Sequence, residues 1–238
     1  MAADAAKADE DKQLAFLNRS LANLRLGRPA SALSDAIRAG GDNEQQLSEK
    51  ALFRQASALY QLGDFDLCLI KLQLLTFTYP ASSSTEEAKR MITRTKARLD
   101  EQLTGEYNFH QMYKQAKVTP PLIDCATYCA PVEIRVSPGR GRGLFTTRKV
   151  AAGELLICEK AFGYCYASRD EPGGANVTIL MNVATKTGNA GGQATLLTQM
   201  VQKMYHDSNA AQSLARLHHG HYKAVPVADV DGKPVVDS

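Results

Sequence analysis

The chain matches itself. The stretch Asn18-Arg-Ser-Leu-Ala-Asn-Leu-Arg-Leu-Gly27 aligns with Arg54-Gln-Ala-Ser-Ala-Leu-Tyr-Gln-Leu-Gly63, and the closing glycines lie 36 residues apart. At that offset Ser20 falls on Ala56, Ala32 on Cys68 and Ala36 on Leu72. A fixed period of this length marks a repeated supersecondary unit, which buries its apolar face only by stacking on a neighbour. Each unit reads as two antiparallel helices, broken at Gly27 and at Gly63-Asp64, with small residues where the helices would touch most closely. Gly40-Gly41-Asp42-Asn43 is the expected loop between units, and Pro80 closes the second.

A fifth helix is expected from the capping box Ser84-x-x-Glu87 to about Leu103, with Gly105 as its stop. Its charges (Lys89, Arg90, Arg94, Lys96, Arg98) predict a solvated cap over the last repeat. The period resembles that of tetratricopeptide repeats, which is about 34 residues. A generic helical bundle is the plainer alternative, but the period and the small-residue matches together favour repeats. Two units are few for such an array, and the fifth helix would supply the missing cover. Residues 11–104 are therefore assigned to TPR-like repeats. Residues 1–10, alanine-rich and acidic with no apolar core, are expected to be disordered.

After residue 130 the pattern changes. Val132-Glu133-Ile134-Arg135-Val136 alternates apolar residues in the manner of a half-buried strand. Gly139-Arg140-Gly141-Arg142-Gly143-Leu144-Phe145 follows, then Thr146, Thr147 and Val150, a break at Gly153, and the apolar run Leu155-Leu156-Ile157-Cys158. The glycine loop thus joins strand to strand, and three strands of one antiparallel sheet are expected. A dinucleotide or Walker fingerprint would need a helix directly after the glycines, so that phosphate could sit on its N-terminus; none is offered here. Alternate glycines let the backbone approach a ligand, and the arginines between them offer donor forks for a carboxylate. A plain hairpin tip with solvated arginines is the alternative, and Gly-Arg runs alone also suit nucleic acid.

Pro131 to Arg135, the run Gly139–Phe145 and Val150-Ala151-Ala152-Gly153-Glu154-Leu155-Leu156 together resemble the opening of a SET domain. That is the protein-lysine methyltransferase fold, in the version fused to tetratricopeptide repeats in fungi and related to the SET-and-MYND group. The resemblance implies that the loop backbone holds S-adenosylmethionine, which places the cofactor side of a site at Arg140, Gly141, Arg142 and Gly143. Gly105 to Ala130, with the short amphipathic turn Phe109, Met112, Tyr113 and the stop Pro120-Pro121, is read as a linker. A similar segment precedes the SET strands in the fungal proteins. The polar stretch Arg169–Gly174, the helical spacing of Leu196, Leu197, Met200, Val201 and Met204, and a short helix over Asn209–Leu217 fit a helical insertion. Asp231-Gly232 between valine-rich runs looks like a hairpin turn.

The expected fold class is α+β. TPR-like helical repeats (11–104) and a linker (105–130) lead to an incomplete, mainly antiparallel β SET-like domain with a helical insertion (131–238). SET domains complete their site with an Asn-His pair and a late tyrosine beside the lysine channel. Here His110, His206, His218, His219 and His221 follow Phe109, Tyr205, Leu217, His218 and Gly220, so no Asn-His pair occurs. The expectation is a truncated, inactive protein-lysine methyltransferase with no catalytic residue assigned. The rival is a non-catalytic module whose repeats bind a protein partner or peptide.

Other chemistries find little support. The balance of 28 basic and 25 acidic residues leaves +3, too little to argue for a nucleic-acid or membrane surface. Met1–Lys12 is neither a secretory signal nor a basic transit peptide, and no apolar run is long enough to span a bilayer. An intracellular protein, cytoplasmic or nuclear, is expected. Asn18-Arg19-Ser20 and Asn176-Val177-Thr178 are glycosylation sequons without meaning in that setting. Cys125-x-x-x-Cys129 is looser than a zinc ribbon's pair, and all five cysteines (68, 125, 129, 158, 165) are read as reduced and structural. His218-His219-x-His221 lacks a carboxylate or cysteine at ligand spacing, so no metal is assigned. No Gly-x-Ser-x-Gly or His-Glu-x-x-His motif supports a hydrolase.

Overall fold

Five helices form in sequence: α1 (Ala2–Arg25), α2 (Pro29–Arg38), α3 (Glu49–Leu62), α4 (Phe65–Thr78) and α5 (Thr85–Thr104). The structure, a computed structural model, describes residues 2–40, 47–81, 84–118, 122–165, 179–183, 186–190, 192–217 and 220. Each helix packs on the next, and α1 also meets α3. All six residues matched by the 36-residue offset (Ser20, Ala32, Ala36, Ala56, Cys68 and Leu72) are fully buried. Small side chains at five of them let the backbones approach. The one hydroxyl among them is satisfied, because Ser20 Oγ donates to the Ala32 carbonyl at 2.8 Å across the α1–α2 contact.

The core between the repeats gathers Leu47, Leu52, Leu59, Leu72 and Leu75 around those small positions. Polar groups stitch its margin. Gln55 Nε2 donates to the Ala36 carbonyl at 3.2 Å, and Arg19 grips the buried Asp35 through two bonds of 2.8 and 2.6 Å. Ser48 and Asp64 cap α3 and α4 by accepting from the Ala51 and Leu67 amides.

Two helix starts differ from expectation. α1 begins at Ala2 rather than after residue 10, and alanine's helix propensity outweighs the want of an apolar face there. The Ser84–Glu87 capping box does not form, because Ser84 is already in helical backbone and its side chain makes no capping bond. The buried Thr85 Oγ1 instead donates to the Tyr79 carbonyl at 2.9 Å. Gly41-Asp42-Asn43 and Pro120-Pro121 lie outside the described residues.

Beyond Gly105 come α6 (Phe109–Gln115) and the strands β1 (Tyr128–Cys129), β2 (Val132–Ser137), β3 (Gly141–Thr146) and β4 (Ile157–Cys158). β2 and β3 form a hairpin in register from Val132↔Thr146 to Ser137↔Gly141. The third expected strand does not join them. β4 pairs with β1, Tyr128 opposite Cys158. The buried Tyr128 ring lies against Gly105 at the end of α5, which anchors β1 and offers β4 its edge. Nor is β2 half-buried, with Ile134 69% and Val136 78% exposed.

The chain divides into two compact units, Met1–Ala161 and Phe162–Ser238, so the division falls inside the segment 131–238. The 105–130 segment belongs to the first unit. In the second, β5 (Ile179–Asn182) and β6 (Thr187–Ala190) form a hairpin that no sequence signal announced. α7 (Gln193–His206) and α8 (Ser208–Ala215) follow where the periodicity placed them, and Asp207 caps α8. The stretch Arg169–Gly174, His218, His219, His221 and the Asp231-Gly232 turn lie outside the described residues.

If the stacked helices are one cooperative body, Leu72→Ala should cost about 2–5 kcal/mol, whereas Leu103→Ala on an exposed face should stay within about 0.5 kcal/mol. Urea unfolding followed by circular dichroism measures both.

Candidate functional site

The glycine run makes a tight hairpin tip. Pro138-Gly139-Arg140 turns between the strands, with the Arg140 amide donating to the Ser137 carbonyl at 3.0 Å. Gly139 and Gly141 carry φ of +72° and +81°, a conformation that L side chains rarely adopt, and nothing lies within 4 Å of where a Cβ would stand on either. Gly143 serves differently. Its φ is ordinary, but a Cβ there would lie 2.9 Å from the Phe145 ring.

Of the four residues assigned to the cofactor, Arg140 sits in the turn, while Gly141, Arg142 and Gly143 open β3 opposite Ser137, Val136 and Arg135. Arg140, Gly141 and Arg142 are exposed and Gly143 is half-buried. Among the described residues β3 pairs only with β2, so alternate residues along its outer edge turn their amides and carbonyls away from the sheet. The tip thus offers an open backbone edge, bare glycine surface at Gly141 and two guanidinium forks, groups that can take a small anionic ligand.

The hairpin is held from its base. The Thr147 amide donates to the carbonyl of the buried Pro131 at 2.9 Å, and the chain before Pro131 is fastened to the helices by a polar cluster buried at Arg98 and Glu101 and open at Arg94. Asp124 lies at its centre. Tyr60 of α3 donates to both its oxygens at 2.9 Å, and Arg94 of α5 reaches it at 3.0 Å. Arg98 lies 3.1 Å from the Asp124 carboxylate and also donates to the Asp124 carbonyl. Its other nitrogen pairs with Glu101 at 2.6 Å, and Glu101 in turn accepts from the Ala126 amide at 2.9 Å. Gln115 of α6 accepts from the Asp124 amide, and Tyr107 donates to the Ala126 carbonyl.

The electrostatics follow the geometry. Burial raises the Asp124 pKa, but hydrogen bonds from Arg94 and Tyr60 and the charge of Arg98 outweigh it, holding the carboxyl below its usual range. Tyr60 is pushed up to about 12, first by burial and then by its bond to Asp124. Burial also raises the thiols of Cys68 and Cys125. No disulfide forms among the five cysteines.

This cluster corrects the reading of α5 as wholly solvated. The Arg98 side chain is only 12% exposed, and Thr95 is fully buried with its hydroxyl 3.6 Å from Cys68 Sγ. The spacing of Arg94, Arg98 and Glu101 puts all three on one face of α5, which was the available signal. Among the described residues no group of three or more His, Cys, Asp or Glu is placed to hold a metal ion, and no helix is long and apolar enough to cross a membrane.

A protein of Gibberella zeae named "Methyltransferase" is 53% identical to this chain over 229 residues, which is 96% of the chain. The chain spans 31% of that relative's length. No protein-family model matches the chain, and no solved structure does.

Two outcomes test the site's build. Gly141→Val should destabilise the hairpin by about 1–3 kcal/mol from backbone strain alone, since no neighbour crowds the new side chain. Hydrogen exchange of the β2–β3 amides reads the loss. Tyr60 bears on pH dependence. Its folded pKa is raised, so its contribution is full below pH 10 and is lost as pH rises toward about 12. The difference in urea midpoint between wild type and Tyr60→Phe should therefore shrink from pH 9 to pH 11.5.

Proposed function

We propose that this chain supplies the helical array and the cofactor-facing hairpin of an S-adenosylmethionine-dependent protein-lysine methyltransferase of the TPR-SET type, and that alone it does not transfer methyl groups. The observation that carries the reading is the 53% identity, over nearly the whole chain, to a protein named methyltransferase. The hairpin adds a physical reason. Gly139 and Gly141 hold the tip in a conformation that keeps side chains off the backbone, as close approach to a ligand demands.

S-adenosylmethionine, when bound, supplies the sulfonium methyl group. The chain's own part is to hold one end. Arg140 and Arg142 can neutralise the amino-acid carboxylate, and the outer edge of β3 can pair with its polar groups. Methyl transfer further requires an in-line amine in a dry channel. Loss of that alignment alone forfeits about 7–11 kcal/mol of barrier reduction. The hairpin is a single exposed ribbon and forms one wall. The protein-lysine acceptor and a partner for the repeats belong to the same proposal.

A second reading, a non-catalytic interaction module, is favoured by where the packing lies: among the described residues the buried core is almost wholly in the stacked helices. Titrating S-adenosylmethionine into the labelled chain separates the two. The methyltransferase reading expects weak, saturable shifts centred on the Gly139–Phe145 amides and lost in Gly141→Val. Shifts absent there, or equal in the variant, would favour the module. With labelled cofactor, histones and a cell lysate, no label transfer is expected. Transfer above that of a Gly141→Val/Gly143→Val control would overturn the claim of inactivity.

A further inference from the structure

Helix α4 is apolar on two opposite faces. Phe65, Cys68, Leu72 and Leu75 point into the core and are buried. Leu67, Ile70, Leu74 and Phe77 are exposed, Phe77 by 86% and Ile70 by 54%. At 100° per residue the two sets lie on nearly opposite sides of the helix. A helix that is apolar all round is normally covered on all sides. Among the described residues this one is covered on one.

The exposed residues follow a precise spacing of three, four and three, the a and d positions of two heptads. In that frame Asp66 and Gln73 take g positions and Lys71 and Thr78 take e positions. In a parallel two-stranded pairing each g residue meets the e residue five further along the other helix. Asp66 would then face Lys71 of the second copy and Gln73 would face Thr78, each contact occurring twice by symmetry. The flanks thus match a second α4 in charge and polarity, with no like charges opposed. An antiparallel pairing sets e against e and g against g, and leaves Asp66 far from Lys71.

We infer that two copies of this chain associate through α4, in parallel, along the seam Leu67–Ile70–Leu74–Phe77. A free helix of 14 residues would be marginal in water, and a two-heptad zipper would have to order it on binding. Here the repeat core already holds α4 as a helix, so the seam is preorganised and that cost is absent. The groove between α2 and α4, about 220 Å³ and lined by Leu33, Ile37, Leu67 and Lys71 among others, extends the apolar surface beside the seam. The interface belongs at the small, reversible end of specific contacts, and the dimer should dissociate on dilution.

Sedimentation velocity over a hundredfold concentration range tests the inference on the whole chain. The expected result is a reversible monomer–dimer equilibrium that Ile70→Glu and Phe77→Glu, each at an exposed site, abolish without changing the circular dichroism. Asp66→Lys should weaken the dimer at least severalfold, and Asp66→Lys combined with Lys71→Asp should restore it. A monomer at every concentration would overturn the proposal and leave the seam to a different helix. A dimer indifferent to the glutamate variants would overturn it as well. Rescue failing in the double exchange, with the glutamates still effective, would overturn the parallel arrangement.

Discussion

The guanidinium of Arg98 lies between two carboxylates, Glu101 on its own helix and Asp124 on the segment that leads into the strands. Burying such groups takes several kcal/mol of hydration from each ion, which attraction offsets only when the geometry is good and the remaining polar atoms are satisfied. Here almost all are. Asp124 has Tyr60 and Arg94 as further donors, and Glu101 accepts a backbone amide; only Arg98 Nε is left buried without a partner. A cluster of this kind contributes little net stability against a well-packed apolar substitute. It fixes position, because one guanidinium cannot satisfy both carboxylates in any other register.

That position propagates along the chain. Asp124 leads within four residues to Tyr128, whose buried ring is seated against Gly105 and whose strand pairs with β4. Pro131, buried just beyond, closes the base of the hairpin through Thr147. The glycine tip thus projects from a base tied to α3 and α5. An isolated two-stranded hairpin is marginal in water, and this one keeps most of β2 and β3 exposed. Its order comes from its root.

The helical half was legible because it is periodic. The 36-residue offset located six buried contact positions, and Gly63 and Gly105 end α3 and α5 in left-handed backbone as read. The differences have separate causes. Alternation in Val132–Val136 and apolarity in Leu155–Cys158 identify strands, but a strand's partner is settled by what anchors the neighbouring edge, and the anchor of β1 is an aromatic ring on a helix end. The arginines of α5 read as solvated because charge is usually outside, and one of the two carboxylates that hold Arg98, Asp124, lies 26 residues further on. The helix start at Ala2 rests on alanine propensity, which apolar periodicity does not register. At the candidate site, the sequence located the turn and the need for glycine at 139 and 141, whereas the crowding of Gly143 by Phe145 depends on a side-chain direction that spacing does not encode.

The exposed apolar residues of the hairpin carry the argument one step further. Val132, Ile134, Val136, Leu144 and Thr146 share one face of the ribbon, with Arg142 at its tip end, since each cross-strand pair projects to the same side. Glu133, Arg135 and Phe145 share the other. A ribbon with one apolar and one mixed face is shaped to be covered on the first and left open on the second. Gly141 and Gly143 both stand on the mixed face, opposite Ser137 and Arg135, so covering the apolar face would leave Gly141 open to a ligand, with the Phe145 ring over Gly143. Cover over Val132, Ile134 and Leu144 is therefore compatible with access at Gly141, and Arg142 must reach the ligand around the tip from the covered side. A one-residue slip of register would place Ile134 beside the glycines and remove that separation.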